Sequence, residues 1–148
     1  MSASPRRGAA LLDVNVLVAL GWPSHVFHTR AHRWFAQHSS RGWATTPVTE
    51  CGFVRVSSNR GALPLVTTPG RAVEALRRMS RVRGHTFWAD DVRFVAEDGI
   101  VDSLRGYRQV TDAHLLSLAA SHDGRLATFD EGIEGAHPAY RHLVEVIT

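Results

Sequence analysis

The chain has 148 residues, of which 44% are hydrophobic and 21% are charged, a length and composition that suit one globular domain over residues 1–148. Its single cysteine, Cys51, excludes an internal disulfide and a zinc site made of cysteines. The formal net charge is +3 and all 17 basic residues are arginine, which excludes sites that depend on a lysine, such as a Walker-type nucleotide site.

The first apolar stretch, residues 9–22, predicts a strand followed by a helix and not a membrane span. It is too short to cross a bilayer and contains Asp13 and Asn15, and the residues before it lack the layout of a signal peptide. Residues 9–12 form an apolar run that ends in a polar turn, and apolar residues continue over 14–20, the pattern of a buried strand that leads into a helix. We therefore expect a cytoplasmic protein that does not bind a membrane.

Strands and helices alternate along the rest of the chain. Apolar periodicity, turn residues and prolines predict a helix over residues 26–37, a strand over 43–45, a helix over 47–57, turns over 58–68 and a helix that starts at Pro69. They then predict a strand over 85–88, a helix from Val92 capped by Asp90 and Asp91, a loop over 99–106, a helix over 110–122, and strands over 126–128 and 143–147. This alternation is typical of an α/β domain around a mainly parallel sheet.

Four acidic residues fall where this topology brings the ends of elements together. Asp13 follows the first strand, and Asp130 follows the strand over 126–128. Glu50 and Asp112 lie in the first turns of helices, and each is followed by apolar residues three and four positions later, which places it on the buried stripe. In a parallel α/β sheet, strand ends and the starts of neighbouring helices share one edge, where ligands generally bind. The four carboxylates are therefore predicted to converge.

Converging carboxylates repel one another, which indicates either protonated groups with raised pKa values or a bound cation. Taken singly, each of the four acids could be only a helix cap or a turn residue, but their joint placement favours a site. Mg²⁺ or Mn²⁺ would fit, because these ions take oxygen ligands, keep several waters and bridge carboxylates to substrate phosphates. Such an ion can acidify a water into a nucleophile and neutralise charge on a phosphate under attack.

Four segments of the sequence resemble the PIN-domain family, and in particular the VapC-type toxin ribonucleases of bacterial toxin–antitoxin pairs. They are LLDVNVLVAL, TTPVTECGFVRV, VTDAHLLSLAAS and GRLATFD, and the resemblance covers nearly the whole chain. It implies a three-layer α/β/α fold and a magnesium-dependent endoribonuclease in which Mn²⁺ can substitute. The acids that match its metal site are Asp13, Glu50, Asp112 and Asp130. Asp13 and Asp112 would be the firmest ligands, and the other two would bind directly or through water.

The same resemblance implies accessory residues and partners. Asn15 and Thr128 match polar positions that would orient a carboxylate or a water, although either could simply satisfy backbone groups at turns. The implied partners are an RNA substrate, a cognate antitoxin protein and a second copy of the chain in a homodimer. Arginines at positions 77, 78, 81 and 83 could follow an RNA phosphate backbone or form only a solvated helix face.

Two other groups of residues could each bind a ligand or have only a structural role. His28 and His32 are one helical turn apart and could bind zinc, but His25 is the only candidate third ligand nearby, and surface histidines beside a core face explain the pattern as well. Phe87 and Trp88 could stack on RNA bases, yet aromatic residues in a strand pattern more often belong to the core.

Competing functions can be separated in part by composition. Receiver domains and haloacid-dehalogenase-type phosphatases are phosphate-handling α/β domains with acidic pockets, but both families rely on a lysine, and this chain has none. A non-catalytic PIN-like binding module is a further alternative. The complete set of four acids favours catalysis, and a magnesium-dependent cleavage assay distinguishes these two possibilities.

Overall fold

The computed structural model describes residues 8–63, 67–95, 100 and 104–148. Within these ranges the strands are β1 (Ala10–Leu12), β2 (Trp43–Thr45), β3 (His85–Phe87), β4 (Arg125–Thr128) and β5 (Val144–Val146). The helices are α1 (Val14–Gly21), α2 (His28–His38), α3 (Pro47–Ser57), α4 (Pro69–Ser80), α5 (Val110–Ser121) and α6 (Gly132–Ala136). No helix in this part of the chain is long and apolar enough to cross a membrane.

The five described strands form one parallel sheet in the order β3-β2-β1-β4-β5. The central strand, β1, pairs with β2 on one side and with β4 on the other, where Leu12 lies opposite Ala127. Its central position agrees with its sequence, because all three of its residues are apolar and buried. The carboxyl ends of β1, β2 and β4 therefore lie at one edge of the sheet, as the alternation of strands and helices predicted.

Helices cover both faces of the sheet and form two hydrophobic clusters with it. Leu12 belongs to the cluster that contains residues of α1, α2, α3 and α4, such as Leu17. Leu11 belongs to the cluster that contains residues of α5 and α6, such as Leu116 and Ile133. Successive residues of a strand point to opposite faces, so the two leucines of β1 enter different clusters. The predicted three-layer α/β/α architecture is confirmed.

A glycine allows α3 to pack directly against the start of α1. Pro47 occupies the first position of α3, and the backbone N–H of Thr46 donates to Oγ1 of Thr49 at 3.1 Å, which fixes the first turn. Gly52 is buried, and a Cβ atom at this position would lie only 2.5 Å from Cγ2 of Val14. Because it has no side chain, Gly52 sets the first residue of α1 against the middle of α3.

The helix predicted to start at Val92 is wrong over residues 92–95, which are coil and turn, and residues 96–99 lie outside the described ranges. Asp90 was expected to cap that helix. Its Oδ1 instead lies 2.7 Å from Nε2 of His114 on α5. A tertiary contact therefore uses the carboxylate that the local pattern assigned to a cap. Most of the loop predicted over 99–106 also lies outside the described residues.

Short helical segments were not predicted. They are α6 and the 3₁₀ helices Ser39–Arg41, Tyr107–Gln109 and Pro138–Leu143. The α6 segment has five residues, two of which are glycine, so its intrinsic helix propensity is low. The helix predicted over 26–37 begins at His28, because the residues before it form turns.

Candidate active site

Asp13, Thr128 and Asp130 meet where β1 and β4 end. The backbone N–H of Asp13 donates to the carbonyl of Ala127 at 2.9 Å, which continues the pairing of the two strands. Thr128 Oγ1 donates to Oδ2 of Asp13 at 2.7 Å and accepts the N–H of Asp130 at 3.0 Å. Oδ1 of Asp130 accepts the N–H of Gly132 at 2.8 Å. One buried hydroxyl thus holds the side chain of one aspartate and the backbone of the other.

Asn15 connects α1 to the same hydroxyl. Its Nδ2 donates to Oγ1 of Thr128 at 3.4 Å, and its Oδ1 accepts the backbone N–H of Phe129 at 3.3 Å. The two accessory positions identified in the sequence, Asn15 and Thr128, therefore form one hydrogen-bonded unit. Asn15 does satisfy a backbone group, as the simpler interpretation held, and it also contacts the residue that holds Asp13.

Asp112, in the first turn of α5, completes a group of three neighbouring aspartates. Burial, and to a smaller extent the negative charges of Asp13 and Asp130, raise the pKa of Asp112 to about 7. Burial also raises the pKa of Asp13, although hydrogen bonds from Thr128 and from the N–H of Val14 lower it in part. Full ionisation of these carboxylates is therefore unfavourable unless a cation lies among them.

Glu50 is held at the end of β2 by a different set of contacts. Thr45 Oγ1 donates to Oε2 of Glu50 at 2.7 Å, and Nε2 of His85 lies 2.7 Å from the same hydroxyl. Because Thr45 gives its only hydroxyl proton to Glu50, Nε2 of His85 must carry the proton that it donates to Thr45. Burial lowers the pKa of His85, and the negative charge of Glu50 opposes this shift. The structure thus brings three of the four predicted acids together. The fourth, Glu50, is hydrogen-bonded to Thr45, the last residue of β2.

The three aspartates line a cavity of about 430 Å³ that also contains His25 and Arg108, and we call it the acid pocket. Burial lowers the pKa of His25, and the neighbouring His28 lowers it further. Sequence reasoning did not assign His25 or Arg108 to this site. Arg108 lies in the 3₁₀ helix Tyr107–Gln109, before the start of α5, so the periodicity of the predicted helix gave no signal for it. The position of His25 depends on tertiary packing.

The donor set of the acid pocket fits a hydrated divalent cation. Carboxylate oxygens are the ligands that Mg²⁺ and Mn²⁺ prefer, and Mg²⁺ is usually bound by one or two carboxylates while it keeps several waters. Among the described residues, no three His, Cys, Asp or Glu side chains are arranged to hold a metal by themselves. The residues therefore fit an ion whose coordination is completed by water, and such an ion would offset the burial and the repulsion that together raise the pKa of Asp112.

The histidines considered for zinc have structural partners. Nδ1 of His28 lies 2.8 Å from the carbonyl oxygen of Ala19, and Nε2 of His32 lies 2.9 Å from that of Leu20. These carbonyls belong to the last turn of α1, where α-helices leave acceptors without intrahelical partners. The two rings thus cap α1, and the geometry does not support a zinc site here.

Of the aromatic and basic residues considered for RNA binding, Trp88 is buried, and Phe87 and the arginines are exposed. Trp88 is 5% exposed and its ring stacks on His122 with centroids 4.3 Å apart, whereas Phe87 is 52% exposed. The arginines at positions 77, 78, 81 and 83 are exposed, and Arg77 forms an ion pair with Glu74 at 3.4 Å. Trp88 is therefore a core residue, and the arginines have the exposure of a solvated surface.

Comparison with known proteins gives the family of this fold and site. The family model described as PIN domain matches residues 10–136, which include all four predicted acids. Ribonuclease VapC39 of Mycobacterium tuberculosis is 55% identical over 139 residues, which cover 93% of this chain and 99% of that protein. Ribonuclease VapC38 of the same species is 52% identical over 124 residues, 84% of this chain and 86% of that protein. Ribonuclease VapC44 is 44% identical over 126 residues, 84% and 87% of the two chains. The resemblance in the sequence is thus confirmed, and the chain belongs to the PIN-domain family as a VapC-type member.

Proposed function

We propose that the protein is a metal-dependent endoribonuclease that hydrolyses RNA phosphodiesters and acts as the toxin of a toxin–antitoxin pair. The observation that carries this proposal is the acid pocket, in which aspartates from three separate elements line one cavity. Burial, together with the charges of Asp13 and Asp130, raises the pKa of Asp112 there to about 7. The named ribonucleases among the relatives support it, and the similarity to Ribonuclease VapC39 extends over 139 of the 148 residues and so includes all four acids.

Each acid has a role in this proposal. Asp13 and Asp112 would hold Mg²⁺ or Mn²⁺ directly, and Glu50 and Asp130 would do so directly or through water. When bound, the ion would acidify a water and offset negative charge on the phosphate. Thr128 keeps Asp13 oriented by donating to Oδ2 of its carboxylate, and Oδ1 accepts the backbone N–H of Val14 at 2.8 Å.

Metal removal tests the proposal at its first step. The purified protein is expected to cleave RNA in Mg²⁺ or Mn²⁺ and to stop in excess chelator, because the described residues that line the acid pocket include no serine or cysteine nucleophile. The readout is the appearance of RNA fragments on a denaturing gel. Full cleavage in excess chelator would contradict the metal-dependent mechanism.

Variants of the pocket test the assignment of residues. Asp13→Asn and Asp112→Asn should each lower the cleavage rate by at least about a hundredfold, an effect typical of lost electrostatic stabilisation, while circular dichroism stays unchanged. The matched control is Asp123→Asn, since Asp123 is exposed and has φ 52°, a conformation that asparagine accepts readily. Near wild-type turnover in either pocket variant would mean that the site is assigned wrongly.

We extend the proposal to a cognate antitoxin and a homodimer. An antitoxin arginine laid among the acids would form charge-assisted hydrogen bonds and replace the attraction of the metal, so inhibition should weaken as magnesium rises. Titration of magnesium into the toxin–antitoxin complex measures this competition. Inhibition that is indifferent to magnesium would contradict the proposed position of the antitoxin arginine. A monomeric mass of the toxin by light scattering would contradict the homodimer.

A further inference from the structure

A second groove meets the acid pocket at Val14. It has a volume of about 400 Å³, and we call it the α3 groove; its lining includes Val14, Pro47, Cys51, Gly52, Arg55 and Thr111. Val14 lines the acid pocket as well. Since Val14 follows Asp13 and Thr111 precedes Asp112, the α3 groove borders the acid pocket beside the catalytic carboxylates of the proposed function.

The α3 groove combines an apolar floor with an exposed cation. Gly52 forms the floor with Val14, because it leaves no Cβ atom between α3 and α1. Cys51 and Arg55 are both exposed and lie one helical turn apart on α3. In the part of the chain that the structure describes, the guanidinium of Arg55 forms no ion pair or hydrogen bond, so it is available to an anionic ligand. Its planar donors match a phosphate group.

An exposed aromatic residue contacts a second cation, and this cation lines the acid pocket. Tyr107 is 82% exposed, and Nε of Arg108 donates to its hydroxyl at 3.3 Å. The guanidinium carbon of Arg108 lies 5.8 Å from the centre of the tyrosine ring, and Arg108 lines the acid pocket. An exposed ring beside an arginine is the combination that proteins use to stack a base and hold its phosphate.

We propose that single-stranded RNA crosses the start of α1, from Tyr107 and Arg108, over the acid pocket and into the α3 groove, where Arg55 binds a phosphate. This inference rests on the proposed ribonuclease function and specifies how the substrate lies. The strand is single because the ring of Tyr107 can stack only on a base that is free of a duplex. The two arginines neutralise phosphates on either side of the scissile bond, where the aspartates alone would repel them.

The only cysteine of the chain reports directly on this path, because it lies in the α3 groove. We would follow alkylation of Cys51 by N-ethylmaleimide with mass spectrometry, in the Asp112→Asn variant and in magnesium, so that RNA binds without being cut. A saturating single-stranded RNA of about ten nucleotides, long enough to span both cavities, should slow alkylation at least fivefold. Unchanged alkylation at saturating RNA, or equal protection by a duplex of the same sequence, would overturn the proposal. Protection by polyglutamate but not by RNA would overturn it in favour of an acidic protein partner.

Affinity measurements test the individual contacts by fluorescence anisotropy with the same RNA. Arg55→Gln and Arg108→Gln should each weaken binding and reduce the slope of log Kd against log salt by about one, the signature of a lost phosphate contact. Tyr107→Ala should weaken binding about tenfold, whereas Tyr107→Phe should keep the affinity because it keeps the ring. The control is Arg33→Gln, an exposed arginine of α2 that lines neither cavity. A salt slope unchanged in both arginine variants would overturn the path.

The outcomes separate this inference from the function on which it rests. Wild-type protein that binds RNA with this pattern but cleaves none in magnesium or manganese would contradict the nuclease function and support the path. Metal-dependent cleavage that is unaffected by Arg55→Gln and Tyr107→Ala at subsaturating RNA would support the function and overturn the path.

Discussion

The hydroxyl of Thr128 has three neighbours in the acid pocket and one proton to donate. It gives that proton to Asp13 and accepts from Asn15 and from the backbone of Asp130. Thr128 is fully buried, so water cannot replace any of these partners. The orientation of the Asp13 carboxylate therefore depends on Thr128, a side chain that is not itself one of the proposed metal ligands.

This dependence predicts how substitutions of Thr128 behave. Thr128→Val keeps the shape but removes the donor, and it should raise the magnesium concentration for half-maximal RNA cleavage about tenfold or more, as losses of outer contacts to metal ligands typically do. Thr128→Ser keeps the donor and should stay close to wild type. Initial cleavage rates against magnesium concentration give the measurement. A valine variant with the wild-type magnesium dependence would show that Asp13 is oriented by other contacts.

The raised pKa of Asp112 predicts a pH-dependent stability in the absence of metal. Folding raises this pKa from 3.8 to about 7, so the folded state binds more protons than the unfolded state between these values. Stability should therefore be highest at low pH in this window and fall as the pH rises to about 7. Asp112→Asn removes the titration. After discounting for partial exposure, the variant should be more stable than wild type by about 1 kcal/mol at about pH 8.

Thermal unfolding in chelator at several pH values provides the test. The difference should correspond to a Tm about 3 °C higher for the variant at alkaline pH, and it should shrink toward about pH 4. A variant that is less stable than wild type at alkaline pH would show that the Asp112 carboxylate is stabilised in the folded state and not crowded by its neighbours.

The sequence was sufficient to predict where in the fold the acids of the site lie, but not which contacts hold their side chains. Asp13, Asp112 and Asp130 follow strand ends or begin a helix, and the topology of a parallel sheet is sufficient to bring such positions together. The side chain of Glu50 could not be placed in this way. Its rotamer depends on a hydrogen bond from Thr45. Thr45 in turn contacts His85, which belongs to β3 and is distant in sequence.

At the scale of elements, the packing of α1 on α3 depends on the missing side chain of Gly52. Gly52→Ala places a Cβ atom 2.5 Å from a methyl group of Val14, whose branched side chain has little freedom to move. We expect a loss of stability of about 1–3 kcal/mol, the usual cost of an overpacked core. RNA cleavage should fall as well, because the displaced start of α1 carries Asp13.

Gly70→Ala is the matched control for this prediction. Gly70 lies in α4, and nothing lies within 4 Å of the position that its Cβ would occupy. Alanine should therefore stabilise the helix by about 0.5–1 kcal/mol. Urea denaturation followed by circular dichroism gives both values. A Gly52→Ala variant as stable as wild type would mean that α1 and α3 can move apart without a loss of stability.

Elements with a strong periodic or apolar pattern were predicted, and elements that depend on tertiary contacts were not. The bounds predicted for β2 and α3 agree with the structure, because a buried apolar run and a proline at the first helical position are local signals. The helix predicted after Trp88 failed at its start, because Asp90 pairs with His114 of α5. Glycine-rich α6 was missed because its propensity is low and its first turn depends on the hydrogen bond between Asp130 and Gly132.

For the molecule as a whole, crowded carboxylates at one edge of the sheet should link thermal stability to divalent cations. Magnesium that binds only the folded state raises stability in proportion to the logarithm of its concentration above Kd. We expect the Tm of wild-type protein at about pH 8 to rise by about 3 °C in millimolar magnesium. Asp13→Asn should respond less, and sodium chloride of equal ionic strength controls for screening. A Tm that is independent of magnesium would contradict metal binding at this edge.

The central position of β1 has a consequence for synthesis on the ribosome. Asp13 leaves the exit tunnel long before Arg125–Thr128, and until that segment has followed, β1 lacks one of its two partner strands. Until then no hydroxyl fixes Asp13, and Asp130 is still absent. A nascent or prematurely terminated chain therefore has no acid pocket, so the proposed nuclease cannot attack the messenger or the ribosome that is making it.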